Sequence, residues 1–345
     1  MKKLFNEKSL LFVMMLFMLI LAACTSGDTN GEGNSNSGNS GTDQNEATNG
    51  NGDEKKVIGF SQVGAESEFR TANTESVRSG LEAAGYEVNF SDAQQKQENQ
   101  MKAIRSFIAQ GVDAIVLAPV VETGFETVLQ EAKDAEIPVF LIDRSVDVEA
   151  DDLWVSFLGS DFVEEGRKAA RWTLEEFEGE EDVKIVELQG TVGSAPAIDR
   201  KAGFEEILGD DSNFEIINSQ SGNFTRSEGK EVMEAFLKSN GDEIDLLFAH
   251  NDDMAIGAIQ AIKEYGLDPG TDIKVIGMDA VRGAFEAMID GDMNVTIECN
   301  PLFGPQLADL IDAYFAGEDI ENRVVVEEGM FEMHEAEELL PTREY

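Results

Sequence analysis

The sequence predicts an α/β protein built as two lobes, each carrying a parallel sheet. Three observations lead there. From Val57 onward, short apolar runs alternate with helical patterns at intervals of roughly 25–30 residues. Several runs, Ala114–Ala118 among them, are apolar throughout, as strands covered on both faces are. The alternation continues over about 270 residues, too many strand–helix units for one small sheet, and parallel strands joined through helices take right-handed crossovers.

The chain begins with an export pattern. Lys2, Lys3 and Lys8 precede an unbroken apolar run of twelve residues, Leu10–Leu21. That is shorter than the ~20 residues a membrane span takes. Leu21-Ala22-Ala23-Cys24 follows and resembles the lipobox of bacterial lipoproteins, which implies removal of residues 1–23 and acylation of Cys24. Residues 24–55 form a tether. Of the thirty residues Thr25–Glu54, eighteen are Gly, Asn or Ser and only Ala47 is apolar, so the segment cannot bury enough surface to offset ordering. As a Gly-rich coil it reaches roughly 30 Å.

The first lobe opens with a strand at Val57–Phe60, a polar loop at Ser61–Phe69 and a helix from Arg70 to Ala84, stopped by Gly85. Further strands are predicted at Glu87–Phe90, Ala114–Ala118, Val139–Ile142 and Val155–Leu158. The second half repeats the pattern at Val183–Leu188, Glu215–Ser219, Leu246–Ala249, Ile273–Met278 and Asn294–Ile297. Met101, Ile104, Phe107 and Ile108 mark one intervening helix by 3–4 spacing, and Val232, Met233, Phe236 and Leu237 another. Gly111 and Gly266 stand just past helix ends.

Composition excludes several functions. Asp and Glu number 69 against 26 Lys and Arg, a net charge of −43 that repels nucleic acid and anionic lipid. Such acidity fits a saline medium, where screening relieves self-repulsion; on that hypothesis stability rises with added salt, and a flat response would end it. With two cysteines and two histidines, and Cys24 accounted for, no Cys/His metal site is expected; Cys299 reads as a small buried residue. No dinucleotide fingerprint follows the first strand and no nucleophile elbow occurs. Gly222–Glu231 has glycine spacing wrong for a phosphate loop and reads as a turn entering a helix. His250 follows an apolar strand and reads as structural. No cofactor and no catalytic residue is expected.

Ligand-binding chemistry recurs instead where strands end. In open α/β sheets those carboxyl ends face the ligand crevice. The first loop holds Glu66, Ser67, Phe69 and Arg70; Asp143 and Arg144 follow Val139–Ile142; Asn251 follows Leu246–Ala249; Asp279 follows Ile273–Met278. Arg200 opens a helix after a loop at Gly190–Pro196, and Phe224 precedes another. Carboxylates and guanidinium forks bind adjacent hydroxyls, and aromatic rings cover the C–H face of a sugar. Singly, Asp143–Arg144 is equally a local ion pair, Asn251 a helix cap and Phe224 a core residue. Their convergence in both halves points to a polyhydroxylated ligand.

Longer segments carry a resemblance: GFSQVG at 59–64, QQKQENQ at 94–100, AQGVDAI at 109–115, EAKDAEIPVF at 131–140, VELQGTVG at 186–193, AIDRK at 197–201, FTRS at 224–227, GKEVMEAF at 229–236 and AHNDDM at 249–254. The chain resembles the type I periplasmic sugar-binding proteins of ABC importers, and within them the galactofuranose binders, densely from Val57 to Phe285. The resemblance implies two Rossmann-like lobes joined by a three-segment hinge. The N-terminal lobe would comprise 56–159 plus about 300–326, and the C-terminal lobe 160–299 plus about 327–345. It implies a sugar held by Glu66, Ser67, Phe69, Arg70, Asp143 and Arg144 from one lobe and by Arg200, Phe224, Asn251 and Asp279 from the other. The closed form would be read by a membrane permease. Phe69 stands where this family has Trp, Glu68 replaces a Gly at the pocket mouth, and Ala280 replaces the Gly after the aspartate. Glu298 and Asn300 are further candidates. The implied protein is a monomer on the extracytoplasmic face of the membrane, lipid-anchored at Cys24. A sugar sensor presenting its ligand to a membrane signalling receptor is the alternative; a DNA-binding regulator is excluded because the leader occupies the place of its helix-turn-helix. Loss of Arg70 is expected to weaken binding without disturbing the fold.

Overall fold

The computed structural model describes residues 55–345 apart from Asp151 and Asp210. The predicted leader, Cys24 and the tether up to residue 54 lie outside the described residues.

In chain order β1 (Val57–Gln62), α1 (Glu68–Ala83), β2 (Glu87–Asp92), α2 (Gln97–Gln110), β3 (Ala114–Leu117), α3 (Glu126–Asp134), β4 (Val139–Ile142) and β5 (Ser156–Gly159) form the first half. The second contains α4 (Phe162–Glu176), β6 (Val183–Gln189), α5 (Ala195–Leu208), β7 (Phe214–Ser221), α6 (Arg226–Asn240), β8 (Leu246–Ala249), α7 (Asp252–Tyr265), β9 (Lys274–Asp279), α8 (Arg282–Ile289) and β10 (Val295–Glu298). Then come α9 (Gly304–Ala316), β11 (Arg323–Val325) and β12 (Met330–Glu332).

Two six-stranded sheets result, ordered β11-β5-β4-β3-β1-β2 and β12-β10-β9-β8-β6-β7. The chain passes between sheets three times: after β5, after β10 and between β11 and β12. All ten predicted strands are present. The expectation of purely parallel sheets needs one correction, because β12 pairs antiparallel with β10.

Each sheet is packed on both faces. One face of the first sheet carries Phe60, Val77, Leu81, Phe303 and Ile311, bringing α9 against α1. The other carries Ile104, Phe107, Val128 and Leu129 from α2 and α3. The second sheet lies between a cluster containing Val232, Met233, Phe236, Ile259 and Phe285 and one containing Trp172, Phe204 and Phe248. Within the second cluster α4 and α5 touch backbone to backbone. A Cβ on Gly166 would come within 2.1 Å of the Arg200 carbonyl, and one on Gly203 within 2.0 Å of the Val163 carbonyl. Glycine at both positions therefore fixes how deeply α5, and Arg200 with it, sits.

Candidate ligand-binding site

The ten predicted site residues line one cavity. It encloses about 270 Å³ between the lobes, and Phe162, Pro196 and Cys299 complete its wall.

On the first-lobe side the wall begins at the start of α1. Ser67 caps the helix by accepting from the Arg70 amide at 3.1 Å. The helix thus starts earlier than the sequence indicates, and Phe69 and Arg70 lie in its first turn, not in the loop. Arg70 is 2 % exposed; its Nη2 donates to Asp143 Oδ2 at 2.5 Å, Nε to Glu66 Oε1 at 3.1 Å and Nη1 to Gln62 Oε1 at 3.2 Å. Burial pulls the Arg70 pKa down, but the adjoining Asp143 and Glu66 charges outweigh it and hold the group above its ordinary value. Asp143 is thus held mainly by Arg70, with Arg144 Nε farther away at 3.6 Å.

Arg144 is the less satisfied cation. Its Nη1 donates to the Val120 carbonyl at 3.2 Å, its guanidinium lies 5.1 Å from the Phe224 ring centre, and its Nε has no hydrogen-bond partner among the described residues. Burial, and then the like charge of Arg70, lowers its pKa to about 10. Glu66 Oε2 is likewise buried without a hydrogen-bond partner among the described residues. An unpaired donor and an unpaired acceptor on one wall is what a hydroxyl-bearing ligand would satisfy.

The second-lobe wall is built the same way. Arg200 is centred in α5 rather than opening it, because Pro196 lies in the first turn. Its Nε donates to Glu165 Oε2 at 2.6 Å, Nη1 to the His250 carbonyl, and Nη2 stands 3.6 Å from Asp279 Oδ1. Burial pushes the Asp279 carboxyl up while Arg200 pulls it back. Asn251 caps α7 through the Met254 amide at 3.0 Å and donates from Nδ2 to the Phe224 carbonyl at 3.2 Å, so it is both a cap and part of the wall. His250 is structural as expected: burial lowers its pKa, and its Nε2 lies 3.0 Å from Glu187 Oε1.

Three wall residues hold left-handed backbone: Asp143 (φ 61°), Phe224 (φ 61°) and Asp279 (φ 118°). Such strain gathers at sites where surrounding structure enforces a geometry, here aiming side chains inward at strand ends. Three arginines face Glu66, Asp143 and Asp279, so the cavity is close to charge balance. That arrangement suits a neutral ligand with many hydroxyls.

Other candidates fall elsewhere. Glu68 does not line the cavity: its amide donates to Asp253 Oδ2 at 2.7 Å and its Oε1 accepts from Arg226 Nη2 at 2.7 Å, bridging the lobes at the rim. Gln95 Nε2 and the Asn223 carbonyl make a second bridge at 2.9 Å. Glu298 instead accepts from Arg343 Nη2 at 2.8 Å, and the Asn300 amide turns toward Glu328. Phe162, Pro196 and Cys299 were missed, although each stands at a strand end or helix start like the residues that were found.

The periplasmic binding protein domain model matches residues 58–319. The chain belongs to this family. It is 52 % identical over 260 residues to the galactofuranose-binding protein YtfQ of Escherichia coli, covering 75 % of this chain and 81 % of the relative. Among solved structures, one from Mycobacterium smegmatis in complex with β-D-fucofuranose superposes with a TM-score of 0.82 at 51 % identity, covering 84 % of this chain and 95 % of that one. The periplasmic binding component of the arabinose ABC transporter of Shewanella sp., bound to α- and β-L-arabinofuranose, gives 0.81 at 48 % identity, covering 84 % and 96 %. These relatives are binding proteins, not enzymes, and the chain stands with them as a binding protein.

Proposed function

We propose that this protein captures a furanose-ring monosaccharide, galactofuranose or a close relative, between its lobes and delivers it to an ABC permease from a lipid anchor at Cys24. The observation that carries the reading is the pairing of unsatisfied Glu66 Oε2 and Arg144 Nε inside a nearly charge-balanced cavity. In this reading Arg70, Arg144 and Arg200 donate to ring and exocyclic hydroxyls, Asp143 and Asp279 accept, Asn251 does both, and Phe69 and Phe224 cover the apolar face. Three relatives bearing furanose sugars in their names or complexes support the ring form. The domain limits given for the two lobes belong to the same proposal, since they place ligand contacts on both sides of the three crossings. Because each lobe supplies part of the wall, binding favours closure, and the closed form is what a permease would read.

Calorimetric titration with galactose, fucose, arabinose and ribose tests the reading. Tight binding of at least one, lost in Arg144→Ala, is expected; no heat with any of the four would overturn it.

A further inference from the structure

The three passages between the sheets meet at one carboxyl group. Glu328 lies on the third passage, between β11 and β12. Its Oε1 accepts from Ser160 Oγ at 2.6 Å, on the first passage, and from the Asn300 amide at 2.7 Å, on the second. Its own carbonyl accepts from Lys168 Nζ of α4 at 2.6 Å. Beside it, a carboxylate oxygen of Glu165 and the Cys299 thiol lie within 4.8 Å of a Glu328 oxygen and of each other. Glu165 is 1 % exposed; Oε2 accepts from Arg200 Nε, but Oε1 has no hydrogen-bond partner among the described residues. Two carboxylates so close, one fully buried and the other half-buried, resist ionising together, and Oε1 is the acceptor left for one proton.

We propose that Glu328 staples the three hinge passages together, and that a proton it shares with Glu165 ties the hinge to Arg200 in the cavity. Glu328 is a positioning residue, acting through Glu165, and the proposal rests on reading the cavity as the sugar site.

Burial first, and then Glu165, pushes Glu328 up to about 9. Burial pushes Glu165 up to about 7 against the pull of Arg200. The other groups facing the pair do not neutralise it: the Cys299 thiol is pushed up by burial and stays protonated, Asp279 is engaged with Arg200, and Lys168 is spent on the Glu328 carbonyl. Both folded values lie above the ordinary 4.5. The stabilisation is therefore full below 4.5 and is lost as pH rises through 7 and 9. Once the proton leaves, the two carboxylates repel; Glu165 stays on Arg200, its counter-charge, and half-buried Glu328 is the one pushed away, so the staple loosens and its link to the cavity is broken.

The test combines galactose titration of the full protein with amide-exchange protection of Asn300 in the ligand-free protein, both from about pH 6 to about pH 9.5. In the wild type, affinity is expected to fall about tenfold over that range, with Asn300 protection falling in parallel. Glu328→Gln keeps the acceptor oxygen and adds a permanent donor toward Glu165, so both profiles should flatten near their low-pH values. Glu328→Ala should lose Asn300 protection at every pH. A Glu328→Gln variant that tracks the wild-type profile, undiminished Asn300 protection in Glu328→Ala, or tightening of the wild type by added divalent cation would each overturn the shared-proton staple. If galactose fails to bind at any pH, whichever of fucose, arabinose and ribose binds takes its place in the titration, failure of all four ends the sugar reading, and Asn300 exchange still decides the staple by itself.

Discussion

Replacing Arg70 by Ala should lower both stability and affinity, against the sequence-based expectation that the fold would be spared. Arg70 is 2 % exposed and is the nearest cation to both Glu66 and Asp143. Its removal leaves two buried carboxylates facing one another, with Arg144 3.6 Å from one and 4.0 Å from the other. Stripping one side from a buried charge cluster costs about 3–5 kcal/mol. Thermal unfolding should therefore drop by on the order of 10 °C. Where the variant is folded, loss of a charge-assisted hydrogen bond to the sugar should weaken binding by roughly 10- to 150-fold. Arg70→Lys separates the two effects, restoring charge without the planar fork. Its stability should recover more than its affinity. Wild-type affinity in Arg70→Ala would remove this residue from the site.

The second large effect is expected at Phe224. Its ring packs so closely on Gly190 that a Cβ there would sit 1.9 Å from it, and the Arg144 guanidinium covers it at 5.1 Å. The side chain is 4 % exposed and belongs to the second lobe's core while forming part of the cavity wall. Phe224→Ala should cost about 3 kcal/mol of stability, as buried aromatic truncations do. It should also weaken sugar binding by roughly 30-fold through loss of the apolar platform. Phe224→Leu refills most of the volume without a π face. Denaturant unfolding should then return toward wild type while the calorimetric affinity does not; a Leu variant that binds as tightly as wild type would show that the ring supplies bulk alone.

These residues also show what the sequence made legible and what it did not. Most of the first ten strands could be read because they are apolar runs buried between helices, β3, β4 and β8 throughout; β2 and β7, edge strands without a fully buried residue, were legible from their place in the strand–helix alternation. β11 and β12 could not: each has three residues, none of them fully buried, and they lie at sheet edges where no apolar pattern is needed. Arg70, Asp143, Asn251 and Asp279 were found because strand carboxyl ends converge on one crevice, a property of the topology and not of the residues. The same rule, applied to the end of β10, would have reached Cys299, which was read only as a buried apolar residue; it is buried, and it also lines the cavity. Pro196 was a helix-start signal that would have placed Arg200 inside α5. Glu68 could not have been placed from the sequence, since its partners Arg226 and Asp253 lie more than 150 residues away and meet it only once the lobes touch.

The reading converges on one claim, that a furanose sugar is held between the lobes. The most direct measurement is the carbon NMR spectrum of galactose labelled at its anomeric carbon, bound to the protein, because that carbon's shift separates five- from six-membered rings. A bound signal in the furanose region is expected, reduced in Arg70→Ala in step with its weaker binding. A bound signal in the pyranose region would contradict the ring assignment, and a furanose signal that survives Arg70→Ala unchanged would place the sugar somewhere other than this cavity.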